Sequence, residues 1–113
     1  MVILKIRRLH KEIYTIGQKL PKREKLGIHQ TIERYSLELL TITVAASFTS
    51  GKEKIPLLKK ARIQVHLITH LIRTEYELGV FREEMYLKFS TLLVEIGKMF
   101  SGWITYETQK ESF

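Results

Sequence analysis

The chain has 113 residues, which is enough for one ordinary domain and too few for two. Its 19 Lys and Arg residues outnumber its 12 acidic residues, so the formal net charge is +7 and we expect anionic partners. Every acidic residue is Glu, and the chain contains no Asp, Asn or Cys. These absences exclude disulfides, cysteine-based zinc sites, thiol nucleophiles and Asp-oriented triads, so we do not expect an enzyme.

The charge pattern also bears on location. The longest run without a charged residue, residues 39–51, is shorter than the roughly 20 apolar residues of a membrane-spanning helix. Lys5, Arg7 and Arg8 interrupt the apolar residues at the start of the chain, so we expect no signal peptide. The sequence therefore predicts a cytoplasmic protein without a membrane partner.

The first two periodic segments predict helices over about residues 2–20 and 24–48. Their apolar residues recur four or three positions apart, which is typical of one buried helical stripe. Pro21 ends the first predicted helix, and the loop chemistry of residues 49–52 closes the second. The two stripes consist of Val2, Ile6, Leu9, Ile13, Ile16 and Leu20, and of Ile28, Ile32, Tyr35, Leu39, Ile42 and Ala46.

The next two segments predict helices over about residues 55–78 and 83–106. Pro56 falls near the first turn of the third helix, where its missing N–H is tolerated, and Gly79 predicts a left-handed C-cap. Glu83 and Glu84 complement the dipole at the start of the fourth helix. The stripes consist of Leu58, Ala61, Val65, Ile68 and Ile72, and of Met85, Phe89, Leu92, Ile96, Met99 and Trp103.

Four amphipathic helices joined by short turns predict antiparallel neighbours. We therefore expect an all-α, up-down antiparallel four-helix bundle that forms a single domain over residues 1–113. No stretch of alternating apolar and polar residues is long enough to predict a strand.

The third predicted helix carries a second apolar face beside its core stripe. A bundle of this size has little use for such a face, so we predict a subunit contact; a wide core stripe is the alternative. The predicted interface residues are Ile63, Leu67, Leu71 and Leu78.

Basic residues form two clusters of a single sign. On the third helix Lys59, Arg62, His66, His70 and Arg73 share one face without an acid, although surface helices normally mix signs. The turn between the first two helices adds Lys22, Arg23 and Lys25. These clusters predict an anionic partner such as nucleic acid, and a merely solvated face is the alternative. The predicted contact residues are Lys22, Arg23, Lys25, Lys59, Arg62, His66 and Arg73.

Two further groups have structural interpretations. His66 and His70 are four residues apart, but a zinc site needs a third protein ligand, so we expect neither a metal nor a cofactor. Gly97 and Gly102 each cost about 1 kcal/mol in a helix interior, so they need a compensating reason. Beside Trp103 they predict close helix packing, either inside the bundle or at a subunit boundary.

Two motifs resemble those of a known family. The run K-L-P-K-R-E-K at residues 19–25 resembles the K-F-P-K-x-E-R turn of the four-helix-bundle family that includes the accessory variability determinant (Avd) of diversity-generating retroelements. The run E-I-G-K-M-F-S-G-W at residues 95–103 is similar to that family's E-I-G-R-M-L-G-G-W. The resemblance covers roughly residues 10–106.

A related branch, encoded by intervening sequences of large ribosomal RNA genes, has an N-I-A-E-G motif where this chain has T-V-A-A-S at residues 43–47. This departure favours the Avd branch. That resemblance implies a basic homopentameric barrel that binds a reverse transcriptase and its template RNA, or an RNA/DNA hybrid, during mutagenic retrohoming. The alternative is a structural or protein-interaction bundle of the intervening-sequence type without a retroelement role.

Overall fold

The computed structural model describes residues 1–111, so the last two residues of the predicted domain, 112 and 113, lie outside the described residues. The described chain has four long helices: α1 (Val2–Gly17), α3 (Ile28–Ser47), α4 (Lys54–Glu77) and α5 (Glu83–Glu111). The short helix α2 (Lys22–Lys25) precedes α3, and a 3-10 turn (Gly51–Glu53) precedes α4. No strand occurs within residues 1–111, which confirms the prediction of an all-α fold with four long helices.

The connection between the first two long helices differs from the prediction. The first helix ends at Gly17 rather than near residue 20, and the next long helix begins at Ile28 rather than near residue 24. Pro21 has an extended backbone (φ −57°, ψ 153°), and Gly27 leaves the helical region with ψ −124°. The residues between them therefore form the separate one-turn helix α2. At the other end, α5 continues to Glu111 because residues 107–111 contain no Gly or Pro.

The four long helices pack side by side in an elongated bundle with extents of 52 × 21 × 19 Å. Helix α1 contacts α3 and α5, and α4 likewise lies between α3 and α5, so the order around the bundle is α1, α3, α4, α5. Each helix thus has its neighbours in sequence as neighbours in space, as short connections require.

The core contains most of the predicted apolar positions. All five stripe residues of α4 are buried, as are Ile6, Leu9 and Ile13 on α1. On α3 the predicted Tyr35 and Ile42 are only partly buried. Polar side chains occupy fully buried positions of that helix seven residues apart instead, namely His29, Ser36 and Thr43. On α5 the core is formed by Phe89, Leu92, Leu93, Ile96, Phe100 and Ile104, while Met85 and Trp103 pack at its edge.

The end of α4 has the predicted left-handed cap. Gly79 has φ +78°, and its N–H donates to the carbonyl oxygen of Tyr76 at 3.0 Å. The N–H of Val80 donates to the carbonyl oxygen of Glu75 at 2.9 Å, which completes a Schellman motif. This cap turns the chain sharply toward α5.

Two glycine substitutions should change stability in opposite directions. Gly79→Ala should lower the free energy of unfolding by about 1 to 2 kcal/mol, because the left-handed backbone conformation of Gly79 is less favourable by that amount for a residue with a Cβ. Gly102→Ala should raise it by up to about 1 kcal/mol, because Gly102 lies inside α5 and an added Cβ would meet nothing within 4 Å. Urea denaturation measures both changes, and a destabilised Gly102→Ala variant would indicate that another molecule packs against this position.

Candidate functional site

The predicted basic residues of the turn all reach solvent. Lys22, Arg23 and Lys25 lie on α2 and are exposed, and none of them forms an ion pair with another described residue. Their positive charges are therefore available to an external anion.

The basic face of α4 is partly committed to contacts within the chain. Lys59 and His66 are exposed, whereas Arg62 is half-buried and its Nη1 donates to Ser101 Oγ at 3.5 Å. The Nε of Arg73 lies 3.5 Å from a carboxylate oxygen of Glu77, one helical turn further on. Both partners of that pair are exposed, so it contributes little stability but lowers the local positive charge. The prediction that this face contains no acid is therefore wrong at the Arg73 end, where Glu77 lies beside Arg73.

The basic turn lies at the end of the bundle where α4 terminates. Arg23 of α2 and Leu78 at the end of α4 line the same cavity, so the turn lies near the C-terminal end of α4. Lys59 lies 14 residues before Arg73, which at about 1.5 Å per residue places it about 21 Å away along the helix. The predicted contact residues thus form an extended surface rather than one compact site.

A third basic cluster on α1 was missed by the sequence analysis. Arg7, Arg8 and Lys11 are exposed and line a groove between α1 and α3. Two nearby acids have lysine partners, because Lys5 Nζ lies 2.6 Å from Glu95 and Lys88 Nζ lies 3.1 Å from Glu12. Arg8 also faces Glu84 and Glu95 across a second groove, so Arg7 and Lys11 are the cations of this cluster without a nearby acid in that groove. The signal was present in the sequence, since residues 2–11 contain cations and no acid.

The predicted interface residues of α4 differ in exposure. Ile63 is 68% exposed and Leu78 is 67% exposed, and Leu67 also reaches solvent. Leu71 differs from these three, because it is partly buried and packs against the core and so offers less surface to a second copy. We call Ile63, Leu67 and Leu78 the α4 face.

Helix α3 and its C-cap residue Phe48 carry an exposed apolar stripe that the sequence analysis missed. Leu37, Val44 and Phe48 are spaced seven and four residues apart and are all exposed, Phe48 at 88%. We call these three residues the α3 face. This face lies on the side of α3 that borders α1, where Leu40 of α3 and Leu4 of α1 line one groove. The α4 face lies beside the contact between α4 and α3, in which Gln64 donates to the carbonyl oxygen of Tyr35. The bundle therefore presents two different apolar faces.

The small-residue patch of α5 is only partly used for packing. An added Cβ on Gly97 would lie 3.9 Å from Val65, an ordinary contact. Trp103 packs at the core edge, and the ammonium of Lys54 lies 5.6 Å from its ring centroid. Gly102 is exposed, and an added Cβ would meet nothing within 4 Å among the described residues, so of the two predicted kinds of packing only the subunit boundary is left for it.

A buried polar pair joins three helices. The Nδ1 of His29 lies 2.9 Å from Glu75 Oε2, and its Nε2 donates to the carbonyl oxygen of Ile13 at 2.7 Å. Both side chains are at most 1% exposed. Each ring nitrogen faces an oxygen that accepts hydrogen bonds when Glu75 is ionised, so the arrangement favours an imidazolium that donates from both nitrogens. An added Cβ on Gly17 would lie 2.8 Å from the ring, so this glycine makes room for His29.

The pair also determines how His29 titrates. Burial is the largest single effect and lowers the pKa of His29. Its hydrogen bonds to Glu75 and to the carbonyl of Ile13, together with the negative charges of Glu75 and Glu33, raise the pKa and outweigh burial. The net result is a pKa raised above 6.5. The charged ring therefore stabilises the fold, and this stabilisation is lost as the pH rises through the folded-state pKa.

Within residues 1–111, no group of three or more His, Cys, Asp or Glu side chains could hold a metal ion, so His66 and His70 have no third ligand. Among the same residues, no helix combines the length and apolarity that crossing a membrane requires.

The fold and its surfaces define a class of protein: a small, basic, all-α bundle with exposed cationic and apolar faces suited to binding. The chain belongs to the bAvd-like family, whose sequence profile matches residues 1–107. The family suggested by the two motifs is thus confirmed. A search of curated proteins found no match to the chain.

Proposed function

We propose that this protein is an Avd-type accessory protein that binds the reverse transcriptase and template RNA of a diversity-generating retroelement. Family membership supports the accessory role. The observation that carries RNA binding is a set of exposed cations on two separate helices that form no ion pair with another described residue. They are Lys22, Arg23 and Lys25 on α2 and Arg7 and Lys11 on α1. Such residues neutralise phosphates, and this charge supplies most of the affinity of sequence-independent nucleic-acid binding.

We further propose that the protein assembles with copies of itself into a ring, which the resemblance implies is a pentamer. Two different apolar faces support this, because the α4 face of one copy can cover the α3 face of the next. Contacts between unlike faces repeat from one copy to the next and give a cyclic oligomer when the rotation between copies closes. The ring repeats each cationic cluster once per subunit, which multiplies the positive field seen by an RNA.

Salt-dependent RNA binding tests the proposal. Replacing Lys22, Arg23 and Lys25 with Gln should weaken binding to structured RNA and lower the log–log salt slope by about 2 to 3, because each lost phosphate contact removes about 0.7 to 0.9. The same result is expected for the triple Gln variant of Lys59, Arg62 and Arg73, reduced by the contacts of Arg62 and Arg73 within the chain.

The matched control is Lys88→Gln, because the ammonium of Lys88 already has Glu12 as its partner. It should leave the slope almost unchanged. If both triple variants bind RNA with the affinity and slope of the original protein, the charge serves solubility, and the interaction-bundle alternative replaces RNA binding.

A further inference from the structure

A cavity of about 380 Å³ opens at one end of the bundle. It lies between α2, the start of α3 and the end of α4, and Arg23, Ile28, Glu75, Leu78 and Val80 contribute to its lining. Its volume falls within the range of about 300 to 1,000 Å³ that small-molecule sites occupy.

One residue that lines the cavity, Glu75, is a buried carboxylate with one unused oxygen. Glu75 is 1% exposed, and its Oε2 accepts the hydrogen bond from His29 at 2.9 Å. Its Oε1 is buried and has no hydrogen-bond partner among the described residues. Buried carboxylate oxygens are normally satisfied, so this atom calls for a donor from outside the described chain.

The same cavity offers positive charge. Arg23 lines it and forms no ion pair with a described residue. Helix α3 begins at Ile28 without a side-chain cap, so the N–H groups of its first turn have no partner within the helix. A guanidinium beside an uncapped helix start favours an anionic group, such as a carboxylate.

The remaining walls are aliphatic. Ile28, Leu78 and Val80 line the cavity, and none of its lining residues is aromatic. A nucleobase would have no ring to stack on here, whereas a branched aliphatic chain has suitable contacts. Glu24 at the same cavity adds a negative charge, so a ligand that carries only an anion is disfavoured.

We propose that this cavity binds a small aliphatic zwitterion, namely an α-amino acid. Its ammonium donates to Glu75 Oε1, its carboxylate lies against Arg23 and the start of α3, and its side chain contacts Ile28, Leu78 and Val80. Because Oε1 is covered in the free protein, binding includes a side-chain movement that uncovers it. The proposal is independent of RNA binding.

Titration of the ¹⁵N-labelled full chain with L-leucine tests the proposal by NMR. We expect saturable shift changes confined to α2, the first turn of α3 and the end of α4. Two matched probes each lack one charged group: 3-methylbutylamine has no carboxylate, and 4-methylpentanoate has no ammonium. Each should bind at least about tenfold more weakly than leucine, because each loses a charge-assisted hydrogen bond. No saturable shifts, or equal affinity for either probe, overturns the proposal.

Variants at the cavity provide the second arm. Arg23→Gln should weaken leucine binding about tenfold, whereas Lys22→Gln, at a neighbouring exposed cation that does not line the cavity, should not. Val80→Phe fills the cavity without changing its charges and should abolish binding. It leaves Glu75 and its hydrogen bond with His29 in place, so the test does not depend on a variant of the buried pair that fails to fold. Unchanged binding by Arg23→Gln, or by a folded Val80→Phe variant, contradicts the proposal.

Discussion

Replacing His29 with Leu should lower the free energy of unfolding by about 3 to 5 kcal/mol, because it leaves the buried carboxylate of Glu75 without its cationic donor. The carbonyl oxygen of Ile13 loses its hydrogen bond from the ring in the same variant. Since small domains are stable by only about 5 to 15 kcal/mol, this single change should bring the protein close to unfolding at ordinary temperature. Urea denaturation followed by circular dichroism measures the loss.

A double-mutant cycle separates the pair from its parts. The double variant His29→Leu with Glu75→Leu should be more stable than His29→Leu alone, because it buries no unpaired charge. His66→Leu is the matched control, since His66 is exposed on α4 and its replacement should change stability by less than about 0.5 kcal/mol. If the double variant is no more stable than His29→Leu, the lost stability comes from packing rather than from charge.

The same pair predicts a pH dependence with a definite sign. The pKa of His29 is higher in the folded protein than its usual value of 6.5, so its contribution is fully present below that pH. Stability should then fall as the pH rises from 6.5 through the folded-state pKa, by about 1.4 kcal/mol for each unit of pKa difference. The His29→Leu variant should lack this decline, and an equal decline in both proteins would assign it to other groups.

Glutamate substitutions on either apolar face should dissociate the proposed ring into monomers of 13.3 kDa. The first variant combines Ile63→Glu with Leu67→Glu on the α4 face, and the second combines Leu37→Glu with Phe48→Glu on the α3 face. Each places charge in a contact that is apolar in the assembly, where an unpaired charge is strongly unfavourable. Light scattering after size-exclusion chromatography measures the mass, and circular dichroism should show that helicity is retained.

Mixing the two variants tests the pairing of unlike faces. Each variant keeps one intact face, so an equimolar mixture should form heterodimers through the α3 face of the first and the α4 face of the second. Val94→Glu is the control, because Val94 is an exposed apolar residue on α5 outside both faces and should leave assembly intact. A mixture that stays monomeric contradicts contact between these two faces, and loss of helicity in either variant would place its residues in the core.

The apolar periodicity predicted the four long helices because each contains one stripe at helical spacing. The α4 stripe from Leu58 to Ile72 is buried in full, and the cap at Gly79 forms as expected. The same method missed His29, because a search for apolar residues passes over a polar side chain at a core position. Its spacing of seven residues from Ser36, which is also buried, was the available signal. Glu75 likewise continues the α4 stripe three residues after Ile72.

The partner of His29 could not have been predicted from one sequence. His29 and Glu75 are 46 residues apart in the chain, and only the packing of α3 against α4 brings them together. The cationic surface was partly predictable, because the exposure of a residue follows from its position on its own helix and needs no knowledge of distant contacts. What the sequence did not reveal was which cations have acidic partners, such as Lys5 with Glu95 across two helices.

The contact between Gly17 and the ring of His29 implies that these positions cannot vary separately during evolution. A methyl group at residue 17 would lie 2.8 Å from the ring, so Gly17→Ala is compatible only with a smaller residue at position 29. A smaller residue there would in turn leave Glu75 as an unpaired buried charge. Related sequences should therefore either keep glycine, histidine and glutamate together or replace all three with an apolar set.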